Sequence, residues 1–138
     1  TIDIVATDHA PHPSENKACE WQAAANGMVG LESALRVVHR SMIETGLLGW
    51  DDVARVMSAA PARIGMLDGH GTPLEVGRPA EITLYDDSVG GLFTTDDLHG
   101  RSENSPYLGQ DLPGRVEWTI HRGRPTVASG VVVEELTA

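Results

Sequence analysis

Near its start the chain carries a short apolar run, Ile2-Asp3-Ile4-Val5-Ala6, which passes without a spacer into Thr7-Asp8-His9-Ala10-Pro11-His12. Branched apolar residues that stop abruptly at polar, Pro-containing sequence read as a buried strand opening into a loop. Barrel enzymes place metal-binding and catalytic groups at such junctions, where strands end at the active face. A single strand closes no barrel, so the expectation is a piece or processed part of something longer. The absence of Met at residue 1 agrees with that expectation.

The rest of the chain changes period once. Pro11 to about Asn26 carries no regular pattern and reads as a loop, with a short turn or helix at Trp21-Gln22-Ala23-Ala24-Ala25. Leu31, Ala34, Leu35, Val38 and Met42 then share one helical stripe, with Glu32, Arg36, Arg40 and Glu44 facing elsewhere and Gly46 as the stop. A second helix is expected from about Asp51 through Val53, Val56 and Met57, interrupted by Pro61. Beyond residue 70 the alternation is that of strands: Ala80 to Tyr85, then Arg115 to Ile120, then a tight connection at His121-Arg122-Gly123-Arg124 into Pro125 to Ala128. Residues 87–114, rich in Gly, Asp and Ser, read as loop. The expected class is α/β: residues 1–70 as the last strand and helices of a TIM-type (β/α)8 barrel, and residues 71–138 as part of a small β-sandwich.

Composition narrows the partners. The 138 residues, 41% of them hydrophobic, suffice for one domain-sized core. Twenty acidic against ten basic residues give a formal charge of -10. That balance argues against nucleic acid and against anionic membranes, both of which select clustered Lys and Arg. No apolar run approaches the roughly 20 residues of a membrane helix. One cysteine, Cys19, permits no disulfide framework, so a reducing cytoplasm is the simpler location and a plain loop thiol the simpler role.

Asp8 is the sharpest candidate. A carboxylate at a strand end can ligate a divalent metal and accept a proton from water, although an Asp that merely caps a loop is also common there. His12 can be a ligand, an acid or base, or a donor to an anion, and Pro11 and Pro13 restrict its backbone; an exposed loop histidine is the plainer alternative. His9 is expected to brace or pack, and His39, His70, His99 and His121 to be structural or exposed. Gly27 and Gly30 either admit a ligand close to backbone N–H groups or relieve strain where the helix begins. Phosphate-loop, dinucleotide-binding, nucleophile-elbow and H-E-x-x-H patterns do not occur.

Two stretches together resemble a known family. Ala6-Thr7-Asp8-His9-Ala10-Pro11-His12 followed by Asn26-Gly27-Met28-Val29-Gly30-Leu31-Glu32 is similar to the end of the barrel in dihydroorotases of the amidohydrolase superfamily. Val76 to Asp86 is similar to a strand shared by many amidohydrolases, and Asn104-Ser105-Pro106-Tyr107 with Gly114-Arg115-Val116 to the dihydroorotase C-terminal segment. The resemblance implies that the full-length protein closes N-carbamoyl-L-aspartate reversibly to dihydroorotate in pyrimidine biosynthesis. It implies that Asp8 ligates zinc and carries the proton, that His12 contacts the substrate carboxylate, and that backbone near Asn26 and Gly27 contacts the ring. Many bacterial relatives carry an aromatic residue where Asn26 stands, which bears on pocket shape.

The same resemblance puts the His-x-His pair, the other metal ligands and the substrate-holding Arg and Asn outside this stretch. The chain alone is therefore expected to bind zinc poorly and to be inactive, with the rest of the barrel supplied in cis or by another chain. Its bare strand edges would favour pairing, and a homo-oligomer is possible. Two other readings stand beside it: a non-catalytic dihydroorotase-like scaffold, and another cyclic amidase such as an allantoinase or hydantoinase. His12 discriminates between carboxylate-bearing and uncharged substrates.

Overall fold

A computed structural model describes residues 2–133, so the last five residues of the expected β-rich segment lie outside the described part. The order is helical first and antiparallel sheet second. One helical turn, α1 (Ser14–Lys17), precedes α2 (Ala34–Val38), which widens without a break into a π-helical turn, His39–Ile43. A second run consists of α3 (Trp50–Ala54), a π-helical turn Arg55–Ala59 and α4 (Ala60–Ile64). The sheet is β1 (Ile82–Leu92), β2 (Asp111–His121), β3 (Arg124–Ala128) and β4 (Val131–Val132), each antiparallel to the next in that spatial order.

Several expectations are met and several are corrected. The hairpin turn is as read: Arg122 and Gly123 both have positive φ, 50° and 80°, the combination that a two-residue turn matched to strand twist needs. Gly46, at φ +72°, ends the first helical run. Pro61, by contrast, does not interrupt the second. A proline clashes with the carbonyl four residues back, and the wide turn at Arg55–Ala59 opens that spacing just ahead of it. Residues 14–17, read as loop, make a turn of helix after the fixed φ of Pro13.

Residues 2–6 belong to no ladder. A strand exists only against a neighbour, and here the amide of Val5 donates instead to the Val56 carbonyl at 3.0 Å. The sheet is likewise one four-stranded layer, not two packed sheets, among the described residues. The larger correction concerns residues 87–114. Asp86 pairs with Arg115 but Gly90 with Pro113, so the chain bulges at 87–89 and then resumes pairing through Leu92 opposite Asp111. Asp-Asp-Ser-Val-Gly-Gly carries the composition of a turn, and only the partner strand reveals it as a bulged strand.

Arg36 joins the two layers. Counted with the outward face from periodicity, it is 12% exposed, and its guanidinium donates to the carbonyls of Gly91 at 2.8 Å, Leu112 at 2.6 Å and Pro113 at 3.4 Å. It also lies 3.6 Å from Asp97 and over the Phe93 ring. Arg40, one turn on, reaches Gln110 at 3.0 Å. Phe93 and Leu112, the largest fully buried apolar side chains, sit at this junction, and Val38, Val53 and Val56 complete the helical side of the core. A rigid fork of donors thus bonds three strand carbonyls at once, next to the bulge.

His39 is buried beside this seam, not exposed. Its Nδ1–H donates to the Tyr85 hydroxyl at 3.0 Å, which in turn donates to the Pro113 carbonyl at 2.9 Å. Trp50 packs on both rings. Gly114, at φ +71°, leaves room for Tyr85, because a Cβ there would coincide with the phenol ring. Burial pushes the Tyr85 phenol up to about 12, against the pull of Arg36.

Replacing Arg36 by Met should cost about 3 kcal/mol, because three strand carbonyls lose a charged donor and Asp97 its partner. The urea midpoint of the full-length protein reads this directly, and an unchanged midpoint would contradict the role. The raised Tyr85 pKa means that the folded state keeps a proton the unfolded chain gives up above pH 10, so this stability is intact below pH 10 and is lost as pH rises toward about 12. Stability measured from pH 9 to 12 should fall more steeply in the unaltered protein than in Tyr85→Phe. Parallel curves would show that Tyr85 does not contribute.

Candidate functional site

Three segments converge around His12. The first is 7–12; the second, 26–30, runs beside it through a parallel bridge between His9 and Met28, with the Ala10 amide donating to the Met28 carbonyl at 2.8 Å. The third, 101–104, arrives from the connection between β1 and β2. The His12 amide lies 3.2 Å from Ser102 Oγ and 3.5 Å from Asn104 Oδ1. The Val29 amide donates to the Asn104 carbonyl at 3.2 Å.

Ring nitrogens can be assigned from their partners. His12 Nε2 is 2.8 Å from the Asn26 carbonyl, which can only accept, so that nitrogen carries a proton. His9 Nδ1 receives the Gly30 amide at 3.1 Å and is therefore the bare nitrogen. His9 thus braces the two loops, as its expected packing role implies. Asp8 is a non-glycine residue in the left-handed region, at φ 48°, and it is exposed.

Asn26 and Gly27 enter through their carbonyls. Asn26 holds His12; the Gly27 carbonyl takes Lys17 Nζ at 2.9 Å and Asn104 Nδ2 at 3.1 Å. Lys17 also reaches the Ala25 carbonyl at 2.7 Å, so the single turn α1 delivers a cation to loop 25–27. Gly27 sits at φ +112°, and a Cβ there would stand 2.5 Å from that of Ala10. A glycine is required at this contact on both counts. Its freedom serves loop-to-loop approach, where the sequence left ligand approach and strain relief open.

Two clefts flank His12. One, of about 310 Å³, lies among Pro11, Val29, Glu32, Arg101 and Ser102; the other, of about 580 Å³, among Ser14, Lys17, Arg101, Glu103 and Asn104. A cleft of about 660 Å³ lies elsewhere, between α4 and the β2–β3 hairpin, with His70 stacked on His121 and Glu81 2.8 Å from His121. That His121 bond holds Glu81 below the usual carboxylate range. It holds none of the residues around Asp8 and reads as the seam between helices and sheet.

Among the described residues no three His, Cys, Asp or Glu side chains gather as a metal-holding group. Asp8 offers one oxygen donor, against the three or four ligands of a zinc centre. No helix among them is long and apolar enough to cross a membrane, and Cys19 is free and exposed. Sequence reasoning missed Lys17, Ser102 and Asn104 as parts of this site. Asn104 lay inside a motif that the resemblance picked out, but its side-chain partners in the two loops are 77 to 94 residues away.

No family model matches the chain. It is 62% identical over 136 residues to the dihydroorotase of Leifsonia xyli subsp. xyli, covering 99% of this chain and 31% of that protein. It is 55% identical to the dihydroorotase of Streptomyces coelicolor, covering 94% of the chain and 30% of the relative. Among solved structures, the L-hydantoinase (dihydropyrimidinase) of Arthrobacter aurescens superimposes with a TM-score of 0.86 at 28% identity, covering 96% of this chain and 30% of that one. The D-hydantoinase of a Thermus species gives 0.84 at 26% identity, with the same coverage. The chain spans less than a third of the length of the curated relatives it matches. Across that shared stretch, the chain is similar to dihydroorotases.

Proposed function

We propose that this stretch is the C-terminal portion of a cytoplasmic dihydroorotase, contributing the last strand and helices of its barrel (1–70) and part of its small β-domain (71–138). The full-length protein would interconvert N-carbamoyl-L-aspartate and dihydroorotate in pyrimidine biosynthesis. The observation that carries the reading is the 62% identity to a dihydroorotase across nearly the whole chain. The likeness to hydantoinases favours a cyclic-amide hydrolase in general, but at 26–28% identity it weighs less on substrate.

Zinc is the metal this reading implies, with Asp8 as one ligand and the others in the part of the protein outside this chain. Bound there, it supplies a more acidic water and a polarised amide carbonyl. Asp8 has the proton to manage. A carboxylate oxygen left free takes a proton from the attacking water and returns it to the ring nitrogen as the C–N bond breaks, and ring closure reverses both transfers. The exposed position of Asp8 suits that exchange.

His12 would meet the substrate carboxylate. With Nε2–H given to the Asn26 carbonyl, the remaining ring atom is Nδ1. A carboxylate only accepts, so it binds at Nδ1 when that atom is also protonated. Lys17 and Arg101 beside the same clefts add positive potential in a chain whose formal charge is -10. Asn26 and Gly27 would offer backbone groups to the ring.

In the full-length enzyme, Asp8→Asn should lower kcat by about 10²–10⁴-fold with carbamoyl aspartate or dihydroorotate. Near-normal turnover would remove Asp8 from the chemistry. His12→Ala should instead raise KM about 10-fold or more, the loss of one charge-assisted bond, and an unchanged KM would refute the carboxylate contact. The 138-residue chain alone, assayed with dihydroorotate and zinc, should show no turnover; activity near that of the intact enzyme would overturn the view that other parts complete the site.

A further inference from the structure

Ser102 and Asn104 form a clasp on the two loops that carry the candidate substrate contacts. Every polar atom of the Asn104 side chain is used. Nδ2 donates to the Gly27 carbonyl at 3.1 Å and lies 3.5 Å from the Ala10 carbonyl, while Oδ1 faces the Ser102 hydroxyl and the His12 amide. The reverse amide orientation would set Oδ1 against two carbonyl oxygens and an NH2 group against the His12 N–H, so the direction of the amide is fixed by its neighbours. Ser102 is 7% exposed. Its oxygen accepts the His12 amide at 3.2 Å, and its one proton serves either the His12 carbonyl, 2.6 Å away, or Asn104 Oδ1.

We propose that Ser102 and Asn104 are positioning residues for substrate binding. They fix loop 7–12 against loop 26–30, so that the His12 ring and the Asn26–Gly27 backbone present a single surface of fixed spacing. The proposal rests on the functional reading above and extends it to two residues outside the candidate ligand and proton groups. Three features support it. Ser102 Oγ accepts the amide of His12, the residue on which the carboxylate contact depends, and lies within bonding distance of the His12 carbonyl. Asn104 crosses from Ala10 to Gly27, tying together the loops that Gly27 lets approach within side-chain contact. Within loop 7–12 the clasp bonds fall at Ala10 and His12 and none reaches Asp8, so its loss falls first on the His12 contact.

A displaced binding group costs affinity for the ground state and the transition state together, which raises KM and spares kcat. In the full-length enzyme, Asn104→Ala should therefore raise KM for carbamoyl aspartate about 10- to 100-fold with kcat within about 3-fold, the scale expected when a contact residue is misplaced. Ser102→Ala should do the same, and Ser102→Thr, which keeps the hydroxyl, should return KM to within about 3-fold of normal. Asn104→Asp should resemble the Ala variant, because a carboxylate cannot donate to the Gly27 and Ala10 carbonyls. Amide hydrogen exchange supplies a readout independent of turnover: in Asn104→Ala, peptides covering 7–12 and 26–30 should exchange at least about 10-fold faster while those of β1 and β2 stay unchanged.

Unchanged KM in both Ala variants, or no recovery in Ser102→Thr, would overturn the positioning role. If Asn104→Ala does not fold, the Ser102 pair decides the matter alone. If the unaltered full-length protein turns over neither carbamoyl aspartate nor dihydroorotate, the functional reading fails. Unchanged exchange in the two loops would refute the clasp in that case as well.

Discussion

The arrangement of the whole chain depends on one guanidinium group. Arg36 leaves a helix and ends among the carbonyls of Gly91, Leu112 and Pro113, where the β1–β2 ladder is broken by its bulge. The guanidinium adds a charged donor to three carbonyls at once, each such bond worth about 1.5–3 kcal/mol. The same cation meets Asp97 and covers Phe93. Phe93 and Asp97 begin the connection whose later residues are Ser102 and Asn104. Docking of helix on bulge thus sets where the clasp emerges, and the clasp in turn sets how loops 7–12 and 26–30 meet. The path from an interior hydrogen-bonding demand to the shape of the candidate site is continuous through named residues.

What could be read in the sequence was local. The turn at Arg122-Gly123 follows from two residues able to adopt positive φ, and the helix around Val38 follows from its apolar stripe. Arg36 was assigned to the outward face by the same periodicity, because a period counts polarity and does not see the carbonyls of a neighbouring layer. The strand through Gly90 and Gly91 was hidden for a related reason. Gly90 is used where β1 passes close to Leu112 and Pro113, with a Cβ there standing only 3.2 Å from the Leu112 carbonyl. In isolation, that composition describes a turn. Residues 2–6 present the converse case: strand-like composition with no strand beside it in the described residues, so the backbone bonds elsewhere.

The candidate site divides along the same line. Asp8 and His12 were conspicuous because chemically distinctive residues stood close together after an apolar run. Ser102 and Lys17 are ordinary in composition, and only the fold brings them to the His12 and Gly27 backbones. Gly27 shows how the two levels interact. Its glycine character was visible, with ligand approach or strain relief as the choices. The contact with Ala10, together with carbonyl bonds to Lys17 and Asn104, gives it a third use, as the point where two loops touch.

The tautomer of His12 ties these levels together. A ring whose Nε2–H is committed to the Asn26 carbonyl can rotate little without breaking that bond, and the ring is then directed by the 26–27 loop as much as by its own backbone. Asn26 therefore acts through its carbonyl, which any side chain at that position could provide, whereas Gly27 acts through the absence of a side chain, which only glycine provides. This accounts for unequal tolerance at two adjacent positions: substitution at 26 changes the wall of a cleft, while substitution at 27 forces apart the loops on which the direction of His12 depends. Substrate contact at this site is thus a property of the loop pair and its clasp, with His12 as the group that they aim.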